Sequence, residues 1–202
     1  MQPIIEEILE MASSKDENVR FHYIDLIEII AGLQYSCRSY DERFKNYAGH
    51  IPDTCLAIYI FDDEWGKIAH FLSRLFIEDY SEATHRVIYC LKSLGADALE
   101  PVLDILIEAP EKFNREPMVF DTGIYELGQT LYEVMVERMY RRPNRTELAF
   151  SYKQTKRETK KILKSKSPVP FFKRWAASDD PNTAEESLYW LKLLKEDYGI
   201  VK

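Results

Sequence analysis

The chain has 202 residues and a mass of 23.8 kDa, room for one domain or two small ones, which would bury roughly 70% of the surface exposed by the unfolded form. Hydrophobic residues at 46% and charged residues at 30% exclude wholesale disorder, while seven Gly and nine Pro are too few for collagen or a turn-rich all-β domain. The net charge of −7 is unevenly placed: residues 1–137 carry 11 basic and 26 acidic side chains, residues 138–174 carry 13 and 2, and residues 175–202 carry 3 and 6.

Helical punctuation recurs along the chain. A first amphipathic segment covers 2–12. Asp16 can cap a second, whose Val19, Tyr23, Ile27 and Ile30 fall at helical spacing, with Gly32 near its end. Ser39-x-x-Glu42 has the form of a capping box for a further helix closed by Gly49. A short apolar helix is expected over Thr54 to Phe61. Asp62-Asp63-Glu64 places negative charge at a helix start, with Ile68, Phe71, Leu72, Leu75 and Phe76 facing inward as far as Glu78. Ser81 opens a helix ending at Leu94-Gly95. Asp97-x-x-Glu100 opens another, with Pro101 in its first turn and Ala109-Pro110 as its stop. A longer helix over 122–141 precedes a basic one over 146–164. Ser167-Pro168-Val169-Pro170 breaks the chain before a short helical turn over Phe171–Ala177. Thr183-x-x-Glu186 then caps a last helix ending at Tyr198-Gly199. Strand alternation is nowhere sustained, so the expected fold is all-α, a short α-solenoid or an irregular bundle of nine or ten helices. The expected organisation is an acidic region over 1–142, followed by a basic helix and C-terminal capping helices over 143–202, packed as one domain.

Two stretches resemble HEAT or armadillo repeats. Asp16-Glu-Asn-Val19-Arg20, with Ile24, Ile27 and Ala31-Gly32, is similar to the first helix of such a unit. Asp79-Tyr-Ser81 through Leu94-Gly95, then Ala98-Leu99-Glu-Pro101-Val-Leu103-Asp-Ile-Leu106, resembles a fuller helix–turn–helix. The resemblance covers about 50 residues and implies a protein-binding scaffold more than a catalyst, because each helix pair needs stacked neighbours to bury its apolar face.

Catalytic signatures are sparse. Glu82-x-x-His85 puts a carboxylate and an imidazole on one helical face. A di-iron bundle, however, needs two such pairs and two further Glu, and only His22, His50, His70 and His85 are present. The His-Glu dipeptides that bind iron in some HEAT-like hydroxylases do not occur. HEAT-like DNA glycosylases hold a damaged nucleotide on a basic face with aromatics. Trp65, Trp175 and Trp190 could play that part, but the −15 of residues 1–137 would repel DNA, and core anchoring is the expected role of each Trp. Phosphate-loop, nucleophile-elbow and zincin motifs are missing from the sequence. Neither a metal nor a cofactor is expected, nor an enzymatic activity.

Two charged surfaces stand out. Glu100, Asp104 and Glu108, at i, i+4 and i+8, form a carboxylate row suited to a basic protein partner, or simply a solvated face. The basic helix sets Leu148, Tyr152, Thr155, Thr159 and Ile162 on one seam, and Lys153, Lys156, Arg157, Lys160, Lys161 and Lys164 over much of the rest. Phe171-Phe172-Lys173-Arg174-Trp175 then interleaves aromatic and basic groups, as single-stranded nucleic acid sites do, unless the aromatics plug the core. The +11 block as a whole suits an external anion or the acidic remainder of its own chain.

Cys37, Cys55 and Cys90 form no C-x-x-C pair, and the last two sit in apolar runs, which suits a reducing cytoplasm. No run approaches 18 apolar residues, so no membrane partner is expected, and Met-Gln-Pro-Ile-Ile-Glu-Glu lacks the basic start of a conventional signal peptide. The expected function is non-enzymatic protein binding, with an acidic helical surface capturing a basic partner. Bacterial immunity proteins, which neutralise basic toxin nucleases, resemble the chain in size, acidity and fold. The alternative is nucleic-acid binding through residues 138–174.

Overall fold

In the computed structural model the described residues are 3–44, 62–78, 86–110, 131–132, 135 and 148–200. Among them the regular structure is helical throughout, with no strand: α1 (Pro3–Ala12), α2 (Glu17–Phe44), α3 (Asp62–Glu78), α4 (Val87–Leu94), a 3-10 turn (Gly95–Ala98), α5 (Leu99–Glu108), α6 (Leu148–Ser165), α7 (Val169–Trp175) and α8 (Pro181–Tyr198). The all-α expectation is met. No helix of the described residues is long and apolar enough to cross a membrane. The chain forms two compact units, Met1–Ala98 and Leu99–Lys202. The expected boundary at 142/143 lies outside the described residues.

In the first unit α2 packs on α1 and α4, and α3 on α4 and the 3-10 turn. Asp16 caps α2 as expected, its carboxylate accepting from the backbone N–H of Asn18 at 2.9 Å and of Val19 at 3.4 Å. The helix does not stop at Gly32 but runs 28 residues to Phe44. One glycine costs a helix about 1 kcal/mol and does not end it. The Ser39-x-x-Glu42 box therefore lies within α2 and begins no new helix, while Gly49 and residues 54–61 lie outside the described residues. Trp65, Ile68, Ala69, Leu72 and Phe76 form the buried stripe of α3, whereas Phe71 and Leu75 are only half-buried. Val87, Cys90, Leu91 and Leu94 supply the buried side of α4. Gly95 ends that helix at φ +64°, a conformation that L side chains rarely adopt.

In the second unit α5 buries Leu99, Val102, Leu103, Ile105 and Leu106 and stops at Ala109-Pro110 as expected. Among the described side chains of α6, 156–165, Thr159 and Leu163 are the buried ones. Of the expected seam, Thr159 is buried and Ile162 half-buried, while Leu148, Tyr152 and Thr155 lie outside the described side chains. Phe171 and Phe172 are buried on α7, which packs on α8. The cap of α8 is Asp180 rather than Thr183: its carboxylate accepts from the Thr183 N–H at 2.9 Å. The Thr183 side chain first, and then that backbone N–H, hold the Asp180 carboxyl below its usual range. Pro181 occupies the first turn, where its missing N–H costs nothing. Gly199 closes α8 in the left-handed conformation, φ +62°. The Ser81 start and the bulk of the 122–141 helix lie outside the described residues.

Candidate functional site

The sequence-defined acidic row sits on α5 in the second unit. Lys166, just past the end of α6, places its ammonium 2.7 Å from Asp104 Oδ1 and 3.2 Å from Glu100 Oε2. Partial burial draws the Lys166 pKa down, but the hydrogen bonds to Asp104 and Glu100 outweigh it and hold the ammonium more firmly protonated than usual. Glu108 also has an interaction partner. The row therefore accepts an ammonium, and the one it holds comes from the chain's own basic block.

The division into units makes sense of this. The first carries 9 basic and 17 acidic side chains, the second 18 and 17. Residues 138–174 thus share a unit with enough carboxylates to neutralise them.

The basic face of α6 divides into two sets. Lys156 lies with its Nζ 5.6 Å from the Tyr198 ring centroid. The Lys160 Nζ is 3.0 Å from where a Cβ on Gly199 would stand. Both ammoniums thus sit at the C-terminus of α8, where a helix dipole favours cations. Arg157, Lys161 and Lys164 are exposed, with no ion-pair partner among the described residues. The Lys153 side chain lies outside the described set. Phe171 and Phe172 pack edge-to-face at 5.3 Å, and the Phe172 ring lies 6.4 Å from Trp190. These two rings plug the core and offer no stacking face. Trp65 and Trp190 are buried as expected, and Trp175 is half-buried.

Around Trp190 the structure reveals a surface that the sequence reading did not single out. Tyr132 and Tyr189 lie 6.0 Å and 5.0 Å from the Trp190 ring. They are 40% and 54% exposed, beside Leu188 at 56%. The signal was present in the helical spacing. Ser187, Trp190, Leu194 and Tyr198 form the buried stripe of α8, so Leu188 and Tyr189 fall off it and face solvent.

The first unit holds a charged cluster between α2 and α4. Arg86 donates to Asp25 Oδ1 at 3.0 Å and lies over the rings of Phe21 (5.3 Å) and Tyr89 (6.0 Å). Glu28 Oε2 is buried without a hydrogen-bond partner. Burial pushes the Glu28 carboxyl above its ordinary value of 4.5, Arg86 draws it down, and Asp25 pushes it up again. A carboxyl with a raised folded pKa binds its proton more tightly in the fold than in the open chain. Its contribution is therefore full at low pH and is lost as pH rises through the raised value. Glu28→Gln should flatten that decline in urea-melt midpoints measured between about pH 4 and pH 7. An identical decline in both proteins would show that Glu28 is not its source.

No group of three His, Cys, Asp or Glu among the described residues could hold a metal ion. Glu82 and His85 lie outside them. No family model, curated protein or solved structure matches the chain.

Proposed function

We propose that the chain is a non-catalytic binding protein that captures a basic protein, with the α8 surface as its contact face. One observation carries this reading: Leu188, Tyr189 and Tyr132 stand exposed around the buried Trp190. Tyrosine is enriched at protein interfaces, and such rings dominate binding when neighbouring groups exclude water from them. Glu185 and Glu196, at i−4 and i+7, and Lys192, at i+3, are exposed on the side of α8 that carries Tyr189, and the negative balance of the three favours a partner of opposite charge.

The Glu100, Asp104 and Glu108 row adds to the electrostatic attraction. A partner ammonium or guanidinium would take the place that Lys166 occupies on two of its carboxylates. A helical-repeat scaffold, and within that class an immunity protein neutralising a basic toxin, is the version that size, acidity and the Asp79–Leu106 resemblance support.

The test is affinity capture from a lysate, comparing the parent with Leu188→Asp/Tyr189→Ala and with Glu100→Lys/Asp104→Lys/Glu108→Lys. A single basic protein should be retained in stoichiometric amount by the parent and released by salt. The α8 variant should lose it, and the acidic-row variant should bind it more slowly while keeping its helical circular dichroism. The same proteins held equally by the parent and the α8 variant would sink the assignment.

A further inference from the structure

The cations of α6 are not equivalent. Lys156 and Lys160 are drawn to the end of α8, and Lys166 is held between Glu100 and Asp104. Arg157, Lys161 and Lys164 remain, at i, i+4 and i+7, so they fall in one line on the outer side of the helix. All three are exposed, and none has an anionic partner among the described residues. Thr159 and Leu163, on the opposite side, are fully buried. The helix is thereby anchored, with its cationic line turned to solvent over about 10 Å.

We infer that this line binds the phosphate backbone of duplex nucleic acid, independently of sequence. The inference goes beyond the protein-binding reading and rests on a different face. Charge complementarity favours it, because a duplex presents one negative charge per about 1.7 Å of its axis. Binding of a single strand uses exposed aromatic faces on which bases stack. None of the described α6 side chains, 156–165, is aromatic, and Phe171 and Phe172 are buried. An interfacial membrane helix sinks an exposed apolar face into lipid, but among the described α6 side chains, 156–165, no apolar one is exposed: Leu163 is buried and Ile162 half-buried. A straight row of cations with neither a stacking nor an inserting group beside it among the described side chains is suited to backbone phosphates, and Arg157 adds a planar fork that fits them.

The test uses the full chain and a fluorescently labelled duplex of about 24 base pairs, followed by anisotropy as KCl rises from about 20 mM. Three phosphate contacts give a log–log salt slope near −3, so affinity should fall about fortyfold between 50 and 200 mM salt. Each of Arg157→Gln, Lys161→Gln and Lys164→Gln should reduce the slope by about one, and the triple variant should abolish binding. Lys156→Gln/Lys160→Gln should leave the slope unchanged. Circular dichroism reports the fold of each variant, and the single variants decide the question if the triple one unfolds. Several results would overturn the inference: no binding at the lowest salt, equal loss in the Lys156/Lys160 variant, or no effect of the single variants. So would competition by poly-glutamate, by anionic vesicles or by a single strand of equal length that matches the duplex.

Discussion

Phe172→Ala should destabilise the second unit by about 3–5 kcal/mol, the cost of replacing a large buried ring by a methyl group in a close-packed core. Phe172 has no exposed surface, meets Phe171 edge-to-face and lies against Trp190. Its loss would open a void where α7 meets α8. With whole-domain stabilities of about 5–15 kcal/mol, that is a large fraction of what holds the unit together. The urea midpoint should fall with little change in slope, since the surface exposed on unfolding is nearly the same. Leu188→Ala, on the same α8 but 56% exposed, should cost a few tenths of a kcal/mol. Similar costs for the two variants would mean that the α7–α8 packing is not the core of this unit.

Cys90 should resist thiol reagents by a factor of about a thousand or more relative to a free cysteine, the protection given by an opening free energy near 5 kcal/mol. The side chain is fully buried where α4 meets α2, and its thiol donates to the carbonyl of Ile24 at 3.2 Å. Burial pushes the thiol pKa well above 9.0, the charges of Glu28 and Asp25 add to the rise, and Arg86 opposes them. Both inaccessibility and a scarcity of thiolate therefore slow the reaction. The measurement is the labelling rate in a Cys37→Ser/Cys55→Ser background, with and without urea. Labelling within tenfold of free cysteine in native buffer would show that α2 and α4 do not hold together as described.

Which parts of this architecture can be read from sequence follows from how local the responsible forces are. The caps and stops that depend on a few neighbouring residues are legible: Asp16 before α2, Gly95 after α4, Pro110 after α5 and Gly199 after α8. Competing local signals are less decisive. Ser39-x-x-Glu42 has the sequence of a helix start yet lies inside α2, and Asp180 displaces Thr183 as the cap of α8. A short polar side chain caps only where the chain already turns, and the pattern alone does not say where that is.

The sequence by itself determined the helical class, through apolar spacing and turn residues, and the position of the +11 block, which is a matter of counting. Only the tertiary structure decided where those charges go. Lys166 lies 62 residues from Asp104 along the chain, yet their charged atoms are 2.7 Å apart. No periodicity within either helix encodes that meeting. The same holds for the partition of the basic helix into Lys156 and Lys160 at the end of α8 and Arg157, Lys161 and Lys164 in solvent. Helical spacing says which residues share a side, but the element packed against the helix chooses which side is buried. Long-range pairing is set by burial of apolar surface between distant segments, and each charge then takes the partner that this packing brings within reach.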